Sequence, residues 1–461
     1  MEKEIEAESK PLSPEQRIFA EYPVPKAVAV MVIPTIISQI ITVIYNLADT
    51  WYVGLSGDAA AVAAISLCLP VYNMMAAFSN LFGVGGASVL ARSLGVGNMK
   101  RAQKTFYTAV RSALIAALCY SLILIFTARP LLMRIGGDAS SIDYALNYTW
   151  ITIIIGGIPT ILSSTLAHLI RSIGQSKISS YGITVGAVLN MVLDPLFMFV
   201  LLPKGNEVLG AGIATVLSNL VSVSYFIFYI LKRNENPVLS FKKPEHSPSL
   251  LRNIITCGIP SFSLTGAAMF SNCFLNGMIA TMGSSAAVAG IGITRKVDSV
   301  AYAVNQGITQ GMLPIVSYCF ASGRHDRMKK VIGFSAVCTM GFSIIWSLIS
   351  WFFAPELIGI FIRDTDTIYY GAKFLRVLCI SVAIYPLLFV IITVFQAVGD
   401  SIKPFVLSLL HKGSLDIVLF FIIRALSGPE YILWSSVIMD TIALILSVIL
   451  YRKRFFGAQK L

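Results

Sequence analysis

Twelve apolar stretches account for most of this chain of 461 residues. Each is long enough to cross a lipid bilayer, because a membrane-crossing helix needs about 20 predominantly apolar residues. Hydrophobic residues make up 56% of the sequence and charged residues only 13%, against about 25% charged in soluble proteins, which excludes a series of soluble domains. The sequence therefore predicts an all-α polytopic membrane protein of 12 transmembrane helices. The predicted spans lie at 26–50, 59–82, 105–128, 145–168, 178–202, 208–231, 250–275, 285–315, 331–353, 373–396, 404–425 and 430–451.

Lys and Arg residues are concentrated on one side of the predicted spans. An even number of spans puts both chain ends on the same side, and 24 of the 35 Lys and Arg residues lie in the tails and loops of that side. Positively charged residues accumulate in the cytoplasmic loops of membrane proteins. We therefore expect both chain ends to be cytoplasmic. The segment 1–25 is polar and contains no apolar core followed by a cleavage site, so we expect this tail to stay in the cytoplasm.

Other classes of function receive little support. The net charge of +12 does not indicate a nucleic-acid partner, because the basic residues lie in loops between spans and not on one soluble face. The seven cysteines form no Cys-x-x-Cys pair, so neither a zinc site nor a disulfide framework is predicted. No zinc-protease helix motif, Gly-x-Ser-x-Gly segment or phosphate-binding loop occurs, which leaves a membrane-embedded enzyme as the least favoured hypothesis.

The two halves of the sequence resemble each other. Segment 34–104 aligns with segment 260–330 without a gap, and 14 of the 71 aligned pairs are identical. Each half holds six spans, so each begins and ends on the same side of the membrane, and the repeat is parallel. Transporters built this way bind their solute between the halves and move the halves to expose the site to either side. A channel or scaffold with duplicated helices is the less favoured alternative.

This repeat divides the chain into two lobes of six helices each. The predicted parts are an amino-terminal cytoplasmic tail, a first lobe, a cytoplasmic linker, a second lobe and a carboxyl-terminal cytoplasmic tail, at 1–25, 26–232, 233–249, 250–452 and 453–461 respectively.

Two carboxylates of the first half lie inside predicted spans, Asp49 in the first and Asp194 in the fifth. A carboxylate inside the hydrocarbon is costly, so it has a partner, a proton or a function. Tyr45 precedes Asp49 by four residues and Asn190 precedes Asp194 by four, so each pair shares one helix face. If the two faces meet, they form an oxygen-lined pocket that could hold a hard monovalent cation such as Na⁺ or share protons. The alternative is that Asp49 caps a helix end at the interface and Asp194 bonds a local hydroxyl.

Two prolines lie in the same two spans as these acids. Pro34, in the middle of span 1, and Pro195, beside Asp194, lack a backbone N–H and should kink their helices. A kinked helix can switch between bent and straight forms when a nearby carboxylate changes charge. A static kink relieved by neighbouring helices fits the sequence equally well.

The buried charges of the second half are different. Arg295, Lys296 and Asp298 lie early in span 8, and Lys412 and Asp416, four residues apart in span 11, are predicted to pair. The alignment of the halves, extended at the same offset, pairs both acids of the first half with apolar residues, so the repeat does not reproduce the acidic pair. If an ion couples to transport, we expect it to do so in the first half.

Several short segments resemble the multidrug and toxic compound extrusion (MATE) family. The resemblance covers residues 20 to about 455. The residues that carry it are Pro34, the segment Asn46-Leu-Ala-Asp49-Thr-x-Tyr-Val-Gly54, the glycine-rich stretch from Gly83 to Gly97 ahead of Lys100 and Arg101, its echo from Gly311 to Arg327, and Arg171-x-x-Gly174. The resemblance implies a secondary transporter in the cytoplasmic membrane of a bacterium.

The resemblance also implies a cation site in the first lobe. Family members form it from the equivalents of Asp49, Asn190 and Asp194, with a span-6 threonine that best matches Thr215. One branch of the family also uses a glutamate in span 7 and an aspartate in span 10, and this sequence has neither. We therefore expect Na⁺ or H⁺ to couple through the first lobe, with no other cofactor.

The substrates that the resemblance implies are amphipathic organic cations, such as drugs or dyes, which are exchanged for inward Na⁺ or H⁺. We expect a monomer whose partners are these small molecules and the surrounding membrane lipids. The residues predicted to line the cavity between the lobes are Met74, Met75, Phe78, Met269, Phe270 and Asn272. The alternative is a flippase for an anionic lipid-linked precursor, which would need cationic cavity residues such as Arg295, Lys296 and Lys412.

Overall fold

The structure of the protein, a computed structural model, describes residues 13–55, 59–136, 141–232, 238–241 and 248–455. In this part of the chain the secondary structure is helical and no strand occurs. The helices are α1 (Pro14–Ala20), α2 (Val24–Leu55), α3 (Ala59–Gly95), α4 (Met99–Ile135), α5 (Ile142–Thr149), α6 (Gly157–Ser172), α7 (Ser176–Pro195), α8 (Glu207–Lys232), α9 (Pro248–Ala280), α10 (Ser285–Ala321), α11 (His325–Phe352), α12 (Ala354–Gly359), α13 (Thr365–Val398), α14 (Ile402–Lys412), α15 (Ser414–Ser427) and α16 (Trp434–Phe455). The π-helical turns Trp150–Ile155 and Leu196–Leu201 follow α5 and α7, and a 3₁₀ turn, Pro429–Tyr431, precedes α16.

Every predicted span coincides with one helix or with two consecutive helices, which confirms the all-α architecture of 12 spans. Among the described residues, ten helical segments are long and apolar enough to cross a membrane alone, and α5 with α6 forms an eleventh span that is bent by 49°. The twelfth is α10, whose Arg295, Lys296 and Asp298 lower its hydropathy. Helices α2, α3, α11 and α13 pack around α10, and these three charged residues are partly buried.

The helices form two lobes of six spans. In the first lobe α2 packs on α7, and α3 packs on α4 and α6; in the second, α10 packs on α13, and α13 packs on α11 and α16. Large aromatic side chains fill both interiors, with Phe106 and Phe226 fully buried in the first lobe and Phe374 and Phe395 in the second. Large apolar side chains such as Phe126 are exposed on the outer faces, as contact with lipid tails requires.

The lobes meet at the end of the bundle where α2 and α9 begin and where α3 and α10 finish. A Cβ atom on Gly258 of α9 would lie 1.9 Å from the carbonyl oxygen of Leu81 in α3. A Cβ on Gly85 of α3 would lie 2.2 Å from the carbonyl oxygen of Ile254 in α9. Such close approach of two backbones requires glycine. A Cβ on Gly266, two turns further along α9, would meet no atom within 4 Å, so this glycine is not part of the close contact.

Helix α1 bridges the two lobes at the same end. The guanidinium of Arg327, in α11, donates to the carbonyl oxygens of Phe19 and Tyr22 at 2.6 Å each. On the other side of α1, the amide of Gln175 donates to Glu15 at 2.9 Å. The ring of Phe19 is fully buried. Part of the predicted tail 1–25 is therefore a packed helix and not a free segment.

The connection between the lobes is described only in part. Of the predicted linker 233–249, residues 233–237 and 242–247 lie outside the described residues. Val238 and Leu239 are buried, and the ring of Phe241 lies 5.8 Å from that of Phe106 in α4. The end of the predicted carboxyl-terminal tail, 456–461, is also outside the described residues.

Candidate cation site in the first lobe

Helices α7 and α8 bring three of the predicted site residues together. Asn190 and Asp194 lie one turn apart on α7, and both are buried, Asp194 with no exposed surface. The Asn190 amide nitrogen donates to Asp194 Oδ1 at 3.1 Å and lies 3.5 Å from the hydroxyl of Thr215 in α8. That hydroxyl donates in turn to the carbonyl oxygen of Ala211 at 2.9 Å.

Asp49 of α2 faces the same pocket. Its carboxylate lies within electrostatic range of Asp194 across the packed pair α2 and α7. Three buried oxygens of the pocket have no hydrogen-bond partner among the described residues: Asp49 Oδ1, Asn190 Oδ1 and Asp194 Oδ2. A buried acceptor without a partner costs about 1–3 kcal/mol, and more when charged. The pocket therefore concentrates acceptor oxygens that its own donors do not satisfy.

Three tyrosines surround Asp49. Tyr45, predicted to share its helix face, lies within electrostatic range of Asp49 and next to Tyr72 of α3. Tyr148 of α5 lies within range of both acids. Neither Tyr72 nor Tyr148 could be identified from the sequence, because a tyrosine in an apolar span is common and no charge marks it.

The chemistry of the donor set suits a monovalent cation or protons. The pocket offers two carboxylates, an amide oxygen and a hydroxyl, all hard oxygen ligands, and none of the contacts described for Asp49 or Asp194 is to a basic side chain. Among the described residues there is no group of three or more His, Cys, Asp or Glu side chains that could hold a metal ion. Na⁺ needs no such group, since it accepts neutral oxygen ligands, so Asp49, Asn190, Asp194 and Thr215 fit it. A proton needs only one of the two carboxylates.

The two prolines lie in different backbone settings. Helix α2 continues without a break through Pro34, and the hydroxyls of Thr35 and Ser176 both donate to the carbonyl oxygen of Met31 one turn earlier. Helix α7 ends at Pro195 and continues as a π-helical turn. The helical hydrogen-bond pattern thus changes directly beside Asp194. The predicted switch of either helix between bent and straight forms stays a prediction.

A cavity of about 50 Å³ lies in the cleft between the lobes, where α3, α9, α10 and α13 line it. Eight of its thirteen lining residues are polar and uncharged, and the other five are apolar. Its lining residues are Asn80, Val84, Ser261, Leu264, Thr265, Gln306, Thr309, Gln310, Leu313, Phe389, Ile392, Thr393 and Gln396. A hydrogen bond of 3.0 Å from Asn80 to Thr265 joins the two lobes across it.

None of the six side chains predicted to line the cavity lies in its wall. Met75 is fully buried in the first lobe, and Phe78 packs between Tyr120 and Phe262, with both ring distances 5.5 Å. The remaining four are only partly buried or are exposed: Met74, Met269, Phe270 and Asn272. Their role in substrate binding stays a prediction.

The predicted pair Lys412–Asp416 is not formed. Gly413 interrupts the span between α14 and α15, so the two residues do not lie on one helix face. Asp416 is instead buried and accepts a hydrogen bond of 2.7 Å from Ser271 of α9. Lys412 lies within electrostatic range of Asp298 in α10, as does Arg295. Lys296 is partly buried on the same helix.

The fold and the site together define a two-lobed polytopic membrane transporter with a parallel repeat and a cleft between its lobes. The sequence model of the MatE family matches residues 34–196 and 262–422, which is more than half of the chain. The protein therefore belongs to the MatE family and is a transporter, not an enzyme. The alignment of the two halves pairs residue 196 with residue 422, so the two matched segments end at equivalent points of the repeat.

Individual relatives extend over nearly the whole chain. The multidrug export protein MepA of Staphylococcus aureus (strain MSSA476) is 26% identical over 438 residues, 95% of each chain. MepA of Staphylococcus saprophyticus is 26% identical over 423 residues, 92% of each chain. Among solved structures, the outward-facing conformation of a multidrug resistance MATE family transporter has a TM-score of 0.90 at 20% identity, covering 98% of this chain and 100% of the other. The structural likeness confirms the fold.

Proposed function

We propose that this protein exports amphipathic organic cations from the cell in exchange for inward Na⁺ or H⁺. The relatives named as multidrug export proteins support the substrate class. The coupling ion would bind at Asp49, Asn190, Asp194 and Thr215. One chain contains both lobes, the cation pocket and the cleft, so we propose that the monomer is the working unit.

The proposed orientation places both chain ends in the cytoplasm, as the distribution of Lys and Arg indicates. The lobes meet at the end where α2 and α9 begin, which would then be the cytoplasmic end. The cleft would open to the outside, in the conformation from which substrate leaves. Opening of the contact around Gly258 and of the α1 bridge would be needed to reach the inward-facing form.

Exchange requires that the ion favour one conformation. A ligand shifts a conformational equilibrium only through a difference in affinity between the two states. Asp49 and Asp194 reach the pocket from different helices, so movement of α2 relative to α7 would change the number of oxygens that a bound ion contacts. Inward movement of one positive charge also releases about 2.3 kcal/mol per 100 mV of membrane potential.

The observation that carries this proposal is the set of three buried oxygens, on Asp49, Asn190 and Asp194, that have no hydrogen-bond partner in the described part of the chain. The test is the purified protein in liposomes, with a Na⁺ gradient and a pH gradient imposed separately and the movement of an ethidium-like dye recorded. We expect dye movement to follow one of the two gradients. Dye movement under neither gradient, with the protein correctly inserted, would refute ion-coupled export.

A further inference from the structure

A second buried group of ionisable side chains lies in the other lobe. The imidazole Nδ1 of His411, near the end of α14, is hydrogen-bonded to the carboxylate of Asp440 in α16. Ser381 of α13 donates to the other oxygen of the same carboxylate. His411 and Asp440 are 2% and 0% exposed. A histidine and a carboxylate are therefore held in contact where little solvent reaches them.

Further charged groups face this pair from the helices packed around it. Asp298 of α10 lies within electrostatic range of both His411 and Asp440, and its Oδ1 atom is buried without a hydrogen-bond partner among the described residues. Two basic side chains, Lys412 of α14 and Arg295 of α10, lie within electrostatic range of Asp298. Tyr302 of α10, and Tyr385 and Cys379 of α13, are further titratable groups within electrostatic range of Asp298. Asp416 of α15 is bound by Ser271 of α9.

The span breaks beside His411. Helix α14 ends at Lys412, and Gly413 has an extended backbone with φ −120° and ψ −154° before α15 begins. The carbonyl end of a helix favours positive charge. Interrupted membrane helices are typical of ion-binding and substrate-binding positions in transporters. His411 therefore lies at the carbonyl end of a broken span.

One aromatic ring separates His411 from the cavity between the lobes. Phe389 lines that cavity, and its ring stands at right angles to the His411 ring with the centroids 5.0 Å apart. The ring of Tyr385 packs against the same imidazole at 5.7 Å. A positive charge on His411 would therefore lie one side chain away from the cavity.

We propose that His411 and Asp440 form a proton-binding site in the second lobe. Histidine is the side chain that ordinarily gains and loses a proton between about pH 5 and 8. His411 takes up a proton on its second ring nitrogen, Nε2, Asp440 compensates the positive charge, and Asp298 provides a second carboxylate nearby. A metal cation is disfavoured here, because the ammonium of Lys412 lies in the same group.

Nuclear magnetic resonance of the full-length protein with ¹⁵N-labelled histidine, in lipid nanodiscs, tests this site. The chain has four histidines, and the signal lost in His411→Gln identifies residue 411. We expect that signal to titrate between about pH 5 and 8. In Asp440→Asn we expect its proton affinity to fall at least about tenfold, because the imidazolium loses its counter-charge. Asp366→Asn, which removes an exposed carboxylate on α13, is the matched control and should change nothing.

A His411 signal that does not change over this pH range, or one that titrates identically in Asp440→Asn, would overturn the proposal. If His411→Gln does not fold, single replacements of His168, His246 and His325 assign the fourth signal by elimination. The double variant Asp49→Asn/Asp194→Asn separates this site from the proposed exchange mechanism. It should lose gradient-driven dye movement and keep the His411 titration.

Discussion

The polar groups of the two lobes differ in how their charges are balanced. In the first lobe, Asp194 accepts a hydrogen bond from the Asn190 amide, and tyrosines lie within electrostatic range of Asp49. In the second lobe, Asp298 and Asp440 face basic groups, among them His411. The first pocket needs positive charge from outside, whereas the second can compensate its acids internally. On this basis we propose Na⁺ or H⁺ for the first pocket and a proton for the second.

The two groups nevertheless occupy related positions in the repeat. The alignment of the halves places Asp298 opposite Tyr72, and Asp440 opposite Ala214, the residue before Thr215. The first group therefore includes residues of α3 and α8, and the second includes residues of their counterparts in the repeat, α10 and α16. The duplicated framework keeps a polar position in the interior of each lobe, while the side chains at that position have diverged.

Replacement of Asp194 by Asn should have the largest effect on transport, because it removes one of the two ionisable carboxyl groups of the first pocket at nearly constant volume. We expect gradient-driven dye efflux from liposomes to fall at least about tenfold, equivalent to about 1.4 kcal/mol. Asp143→Asn, which alters an exposed carboxylate at the start of α5, is the control and should behave like the wild type. Full efflux in Asp194→Asn would show that the coupling ion does not depend on this pocket.

A smaller effect on transport is expected from a change at the close contact between the lobes, where Gly258 of α9 packs on Leu81 of α3. Gly258→Ala would place a Cβ 1.9 Å from the carbonyl oxygen of Leu81, and such overpacking costs about 1–3 kcal/mol. We expect slower efflux and faster hydrogen exchange in 81–95 and 254–265, measured by mass spectrometry.

The matched control for this change is Gly266→Ala on the same helix, where a Cβ meets no atom within 4 Å. It should leave both measurements unchanged. Equal behaviour of the two variants would contradict a tight contact between the lobes at Gly258, and with it the assignment of the closed end of the cleft.

The sequence predicted the features that follow from the free-energy cost of placing polar or charged side chains in lipid. The spans and the acids Asp49 and Asp194 could be identified because apolar length and buried charge are independent of how helices pack. Asp440 carries the same signal, a carboxylate within an apolar span, and could have been identified in the same way. The residues that line the cavity could not be identified from the sequence, because they depend on the rotation and tilt of each helix.

The predicted pairing of Lys412 with Asp416 shows a second limit. The spacing of four residues indicates a pair only on a continuous helix. Gly413 interrupts that helix, and a single glycine in a membrane span does not by itself indicate a break, since glycine is common in such helices. Local pattern therefore fails where tertiary packing decides the backbone.

Thr215→Val tests the smallest difference between the two lobes, the contribution of a neutral oxygen to the first pocket. The change keeps the shape of the side chain and removes the hydroxyl that lies 3.5 Å from the Asn190 amide. The loss of one such contact is worth about 1 kcal/mol, so for Na⁺ we expect the half-saturating concentration to rise about fivefold. Thr50→Val, which removes an exposed hydroxyl on α2, is the control.

If Na⁺ is the ion, its affinity should depend on Thr215, because a metal ion is stabilised by every oxygen that coordinates it. If H⁺ is the ion, its affinity should scarcely change, because a proton binds one carboxylate, so this variant also distinguishes the two ions.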